Sequence, residues 1–397
     1  MAGIYVHIPF CKSKCIYCGF YSKPLSLLQP TGGESIESAF VKSVIKEISL
    51  RKDFFNRFAA EEDSKTVNTI YFGGGTPSTL SISQLQRIKK SLYNKFDIAP
   101  KEEFTIEVNP DDVTPTYAMG LKTLGVNRIS MGVQSFVDEH LKWMCRRHDA
   151  ERAVAAFSTL RDAGFSNISL DLIFGFKGLT TKLLERNLEQ LIALRPEHIS
   201  TYQLSIDNGT VLEKLTQKGN NFLLGDSVCA AQYALIQKRL AEAGYIQYEV
   251  SNFALKGYNS KHNSNYWNRT PYVGFGPGAH SFAGAHREWN IADVNKYIAH
   301  FWSKENVVIS ECEELSDEDV FTEYTMLGLR RCNGVSVERL KCLALRAGRD
   351  FREVESAIAE QIALGNLVPW SAPYGDNRLK ISPEKLFVSD SIIRDVL

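Results

Sequence analysis

The chain has 397 residues, 44% hydrophobic and 23% charged, which is long enough for two or three domains and too apolar for a disordered chain. Its 46 basic and 46 acidic residues cancel to a net charge of zero, which argues against a nucleic-acid partner bound through phosphate neutralisation. No apolar run approaches the ~20 residues of a membrane span, Met1 to Phe10 carry no secretory pattern, and the uneven cysteines suggest a reduced, cytoplasmic chain rather than a disulfide scaffold.

In chain order, strands are expected at Ile4–Ile8, Val67–Phe72, Glu103–Val108, Asn127–Val133, Asn167–Phe174 and His198–Ile206. Helices are expected between and after them at Glu34–Phe55, Ser81–Phe96, Pro115–Leu124, Ala150–Ala163, Thr181–Leu194 and Asp226–Ala243. Ser81 and Gln84 form a capping box at the start of the second helix. Gly125, Gly164 and Gly244 stand just past three helices, where a left-handed residue ends a helix cheaply. Six βα units in series imply an α/β fold with a parallel sheet and right-handed crossovers, an incomplete (β/α)6 barrel over residues 1–255. Residues 256–310 read as a connecting segment rich in Gly, Asn and aromatic residues. Residues 311–397 read as a small, mainly helical, winged-helix-like domain with a short hairpin around Tyr374-Gly375-Asp376-Asn377.

The first strand runs into Cys11-Lys12-Ser13-Lys14-Cys15-Ile16-Tyr17-Cys18. Three thiolates at this spacing can wrap one face of an iron–sulfur cube, leaving one iron open to a small molecule. Zinc held by three cysteines and a histidine is the alternative, although zinc cysteines usually come as separated pairs.

The CxxxCxxC loop, with Tyr17 before its last cysteine, resembles the radical S-adenosylmethionine (SAM) superfamily. The string Tyr5-Val6-His7-Ile8-Pro9-Phe10-Cys11 resembles the branch that holds coproporphyrinogen III dehydrogenases and heme chaperones. The resemblance implies a 4Fe–4S cluster on Cys11, Cys15 and Cys18, with SAM on the open iron. It carries Gly74, Gly75 and Thr76 over to the SAM amino group, Glu107 to the methionine moiety, Arg146 to the carboxylate, and Gln134 and Asp171 to the ribose. Tyr5 and Tyr17 are placed near the cluster and the adenine. Without the resemblance, an acid inside the apolar run Ile168–Ile173 reads as a buried salt bridge. Arg147 competes with Arg146, because only one of two adjacent side chains can point inward.

Two features separate the branches. The dehydrogenases carry a further cysteine two residues after the third, where this chain has Phe20. His262-Asn263-Ser264-Asn265-Tyr266-Trp267 resembles the HNxxYW motif of the heme chaperones, in which an imidazole can ligate iron and the aromatic rings can stack on a porphyrin. The plain alternative is a packed aromatic corner, and His280 in Gly276-Pro277-Gly278-Ala279-His280-Ser281 is the rival ligand. Ser260, Cys145 and Lys177 depart from the branch pattern, which more often has Cys, Gly and Pro at these places. The resemblance thus implies a heme chaperone that binds a 4Fe–4S cluster, SAM and heme, with an acceptor hemoprotein and an electron donor as partners. Any catalysis would be modest SAM cleavage, and a peripheral membrane contact is left open. The alternatives are oxidative decarboxylation of coproporphyrinogen III and a zinc-stabilised binding protein.

Overall fold

The computed structural model describes residues 1–29, 33–60, 65–303, 307–371 and 377–397. The six expected strands form as β1 (Ala2–Ile8), β2 (Val67–Gly74), β3 (Ile98–Val108), β4 (Arg128–Gln134), β5 (Ile168–Phe174) and β6 (His198–Gln203), each parallel to the next in sequence. Their residues alternate. Ile4, Val6 and Ile8, then Ile70 and Phe72, Phe104 and Ile106, Ile129 and Met131, and Leu170 and Leu172 are all buried on the face that the crossover helices cover. The helices between these strands are α1 (Ile36–Leu50), α2 (Phe54–Phe58), α3 (Ile82–Lys95), α4 (Pro115–Leu124), α5 (Asp138–Trp143), α6 (Ala150–Asp162) and α7 (Thr181–Leu194), with α8 (Val211–Gln217) and α9 (Asp226–Glu242) after β6.

Local signals set the helix ends. The Ser81–Gln84 capping box opens α3, and Gly125 closes α4 in the left-handed region at φ 90°, which a residue without Cβ adopts at no steric cost.

The stretch read as a connector belongs to the same sheet. After β7 (Ile246–Gln247), β8 (Asn252–Ala254) and α10 (Lys261–Trp267), β9 (Tyr272–Phe275) pairs in parallel with β1, Tyr5 opposite Gly274. β10 (His280–Ala283), β11 (His286–Asn290) and β12 (Ser310–Glu314) then extend that edge antiparallel, with α11 (Val294–Trp302) between the last two. Among the described residues twelve strands run β12-β11-β10-β9-β1-β2-β3-β4-β5-β6-β8-β7, an open sheet rather than a closed barrel.

Beyond it lie α12 (Asp317–Leu329), α13 (Val337–Arg346), α14 (Phe351–Ala363) and α15 (Ser389–Val396), with a small sheet of β13 (Val335–Ser336), β14 (Leu367–Ser371) and β15 (Asn377–Ile381). β14 and β15 form the expected hairpin, Leu367 opposite Ile381. Its expected tip at Tyr374, Gly375 and Asp376 lies outside the described residues.

Candidate functional site

Because side chains alternate across a strand, the second face of the parallel sheet carries Tyr71, Glu107, Arg128, Ser130, Gly132, Gln134, Asp171, Ser200 and Tyr202. All of them line one cavity of about 660 Å³, together with Cys11, Cys15, Tyr17, Cys18, Gly74, Gly75, Thr76 and Arg146. A parallel sheet is ordinarily apolar on both faces, so this polar face marks a site at the C-terminal ends of the strands.

The cysteine loop is fixed at both ends. Phe10 and Cys11 pair with Lys23 and Pro24, and the Lys23 N–H donates to the Pro9 carbonyl at 2.8 Å. In its middle the buried Ile16 donates its N–H to the Met144 carbonyl and accepts from Leu212 N–H. Gly75 lets the end of β2 approach the loop: a Cβ there would lie 2.7 Å from the Phe10 carbonyl oxygen. Thr76 Oγ1 reaches Cys11 Sγ at 3.4 Å. Burial first, with Cys15 and Cys11 beside it, pushes the Cys18 thiol up to about 11, so this thiol ionises only when a cationic centre binds it. Among the described residues no three Cys, His, Asp or Glu side chains converge on a single-ion site.

The acids and bases of the cavity are strained electrostatically. Glu107 accepts from Tyr71 Oη at 2.8 Å and from Gly74 N–H at 3.1 Å. Burial, with Asp171 adding repulsion, still raises its pKa to about 7. Burial raises Asp171 to about 6 against the pull of Ser200, Arg128 and Arg146. Arg146 donates to the Gly132 carbonyl at 2.5 Å and lies 3.5 Å from Cys15 Sγ. Its neighbour Arg147 also lines the cavity but is paired with Asp112 at 2.9 Å.

Gln134 Oε1, Arg146 Nε and Asp171 Oδ1 are buried without a partner among the described residues. Unpaired buried polar atoms cost free energy, and these three border one cavity. They suit a ligand with hydroxyls and charges at both ends, and with three cysteines at the rim the residues fit a cluster with SAM.

The positions that depart from the branch pattern have physical accounts. Cys145 sits in the left-handed region at φ 57°, which explains a glycine preference there. Lys177 donates its N–H to the Phe222 carbonyl at 2.8 Å, a bond a proline could not make. Ser260 caps α10 by accepting from Asn263 N–H at 3.3 Å.

Three expected site residues lie elsewhere. Tyr5 faces a second cavity of about 740 Å³, as does His280. His262 lines neither cavity. It is 1% exposed, with Nδ1 2.9 Å from Thr69 Oγ1 and Nε2 2.9 Å from Tyr266 Oη, and its ring stacks on Tyr71. Burial lowers its pKa to about 3. In this structure the His262 ring is a packed, fully hydrogen-bonded element of the aromatic corner. Sequence reasoning missed Tyr71, Arg128, Ser130, Ser200 and Tyr202. Counting every second residue from Glu107, Gln134 and Asp171, and across the neighbouring strands, would have found them.

The radical SAM superfamily profile matches residues 5–191. The heme chaperone HemW of Bacillus subtilis is 35% identical over 372 residues, 93% of this chain and 93% of that one. The heme chaperone HemW of Escherichia coli is 34% identical over 278 residues, 70% of this chain and 69% of its own length. Among solved structures, the coproporphyrinogen III oxidase HemN of Escherichia coli superposes with a TM-score of 0.77, at 20% identity, over 100% of this chain and 89% of that one. At that identity the likeness speaks for the fold alone.

Proposed function

We propose that this chain, which belongs to the radical SAM superfamily and to the HemW family within it, is a heme carrier that works in the cytoplasm and hands heme to an acceptor hemoprotein. Cys11, Cys15 and Cys18 hold a 4Fe–4S cluster, and the cavity beside them holds SAM. The observation that carries the cofactor reading is the trio of unpaired atoms on Gln134, Arg146 and Asp171 around one cavity.

When bound and reduced, the cluster supplies an electron that can cleave the sulfonium of SAM. The chain's own residues bind and orient. Glu107 and the backbone at Gly74, Gly75 and Thr76 take the ammonium end, and Arg146 takes the carboxylate. Gln134 and Asp171 hold the ribose hydroxyls, and Tyr17 closes the cluster side. Fixing both ends of a flexible ligand keeps its reactive carbon in one place.

Porphyrinogen oxidation is the second reading, and Phe20 argues against it. Its ring is 71% exposed at the rim of the cavity in place of the extra thiol, and an apolar ring supplies no redox or proton chemistry. The test is anaerobic incubation of the cluster-loaded protein with reductant, SAM and coproporphyrinogen III, alongside titration with hemin. Hemin uptake without protoporphyrinogen IX formation is the expected result. Robust decarboxylation would overturn the carrier reading.

A further inference from the structure

The methionine end of SAM needs three seats, and they lie on separate segments of the chain: the cysteine loop, the segment Gly74–Thr76 and the turn that carries Arg146. One carboxylate reaches all three. Asp112 ends the short helical turn Pro110–Asp112, which follows β3. Its side chain is 3% exposed. Oδ1 accepts from Lys12 Nζ at 2.7 Å and from Arg147 Nη2 at 2.9 Å, and Oδ2 accepts from Ser78 Oγ at 2.9 Å. Lys12 directly follows Cys11, Ser78 stands two residues after Thr76, and Arg147 directly follows Arg146. The Ser78 oxygen also accepts from Asn109 N–H at 3.2 Å, which fastens the turns after β2 and β3 to each other. Lys12 and Arg147 line the first cavity, whereas Asp112 is not one of its lining residues.

We infer that Asp112 is a positioning residue for SAM, a clamp that sets the spacing between the cluster loop, the ammonium seat and the carboxylate arm. The inference rests on the SAM reading above and deepens it. A buried carboxylate is costly unless it is paired and hydrogen-bonded, so three partners on three segments hold those segments to one point. Arg147 is drawn to Asp112, and its neighbour Arg146 turns instead to the Gly132 carbonyl at 2.5 Å and to Cys15 Sγ at 3.5 Å. The ammonium and carboxylate of the methionine end share one carbon, so their seats tolerate little relative movement. A displacement on the order of 1 Å is enough to lose a productive pose. The adenosine end is seated by Gln134 and Asp171 on β4 and β5 and does not depend on the clamp.

The test compares two ligands by equilibrium binding to the cluster-loaded, full-length protein: SAM, and 5′-methylthioadenosine, which keeps the adenosine and lacks the amino-acid end. Asp112→Asn keeps the shape of the side chain and an acceptor for Ser78 but gives up the charge that holds Lys12 and Arg147. It should bind SAM about tenfold more weakly and 5′-methylthioadenosine as the wild type does. Arg147→Gln opens the same pair from its other side and should show the same selective loss, so it carries the test if Asp112→Asn does not load its cluster. The double variant should be no weaker than Asp112→Asn alone, because the two residues act as one unit. Unchanged SAM affinity in either variant, or equal losses for the two ligands, overturns the positioning role. A wild type that binds SAM no more tightly than 5′-methylthioadenosine overturns the SAM reading itself, so the two failures are distinct.

Discussion

Glu107 keeps its proton near neutral pH because its surroundings are poor in water and Asp171 stands nearby, each effect penalising the charged form. A cation arriving in the cavity reverses that balance. SAM carries two positive centres, so its binding lowers the Glu107 pKa and expels a proton. Calorimetric titrations of the cluster-loaded protein at pH 7, in buffers of different ionisation enthalpy, should show release of a fraction of a proton per SAM. In Glu107→Gln the release should vanish and SAM should bind about tenfold more weakly, as expected when a charge-assisted hydrogen bond is lost. Equal proton release in wild type and variant would remove Glu107 from the SAM contact. This residue was reached through the family resemblance of its motif, which carries it to the methionine moiety. Arg128, 1% exposed and near enough to act on both acids, was not, because the strand Asn127–Val133 was read as a span and its two faces were not separated.

Helix ends were legible wherever the chemistry is local. Ser81→Ala removes the side-chain half of the α3 capping box and should cost about 1 kcal/mol in urea denaturation of the cluster-free protein. Loop conformations set by distant contacts were not legible. Cys145 takes its left-handed φ where the chain leaves α5 and turns Arg146 toward the Gly132 carbonyl on β4, and no residue near it in sequence announces that turn. Strain at a non-glycine residue in this region gives a signed prediction. Cys145→Gly should stabilise by roughly 0.5–1 kcal/mol, and Cys145→Val, β-branched and exposed, should destabilise by about 1–2 kcal/mol. If the valine variant matches the wild type in denaturation midpoint, the turn is not built as described.

Contacts between the chain's distant parts lie beyond any periodicity, and they complete the second cavity and the C-terminal junction. β9 is only four residues long and joins β1 across some 270 positions of sequence, bringing His280 beside the cysteine loop. The Val294 N–H donation to Tyr21 Oη at 2.7 Å ties the same two regions. At the other edge, Val250 N–H donates to the Arg330 carbonyl at 3.0 Å and Cys332 N–H to the Tyr248 carbonyl at 3.1 Å, which joins the sheet to the C-terminal helices. Glu249 sits at that seam, fully buried, with Oε1 unpaired among the described residues. Burial raises its pKa to about 7, despite bonds from Ser251 and Asn252. A carboxyl raised in the folded state favours folding when protonated. Its contribution is complete below the ordinary value of 4.5 and is lost as pH rises through 7. The seam should therefore loosen between pH 6 and pH 8. Hydrogen exchange at the amides of Val250 and Cys332, corrected for intrinsic rates, should accelerate over that interval in the wild type. In Glu249→Gln, which cannot ionise, the protection should stay level, worth on the order of 2 kcal/mol at pH 8. Level protection in the wild type would mean that Glu249 stays protonated, or is paired, throughout this range.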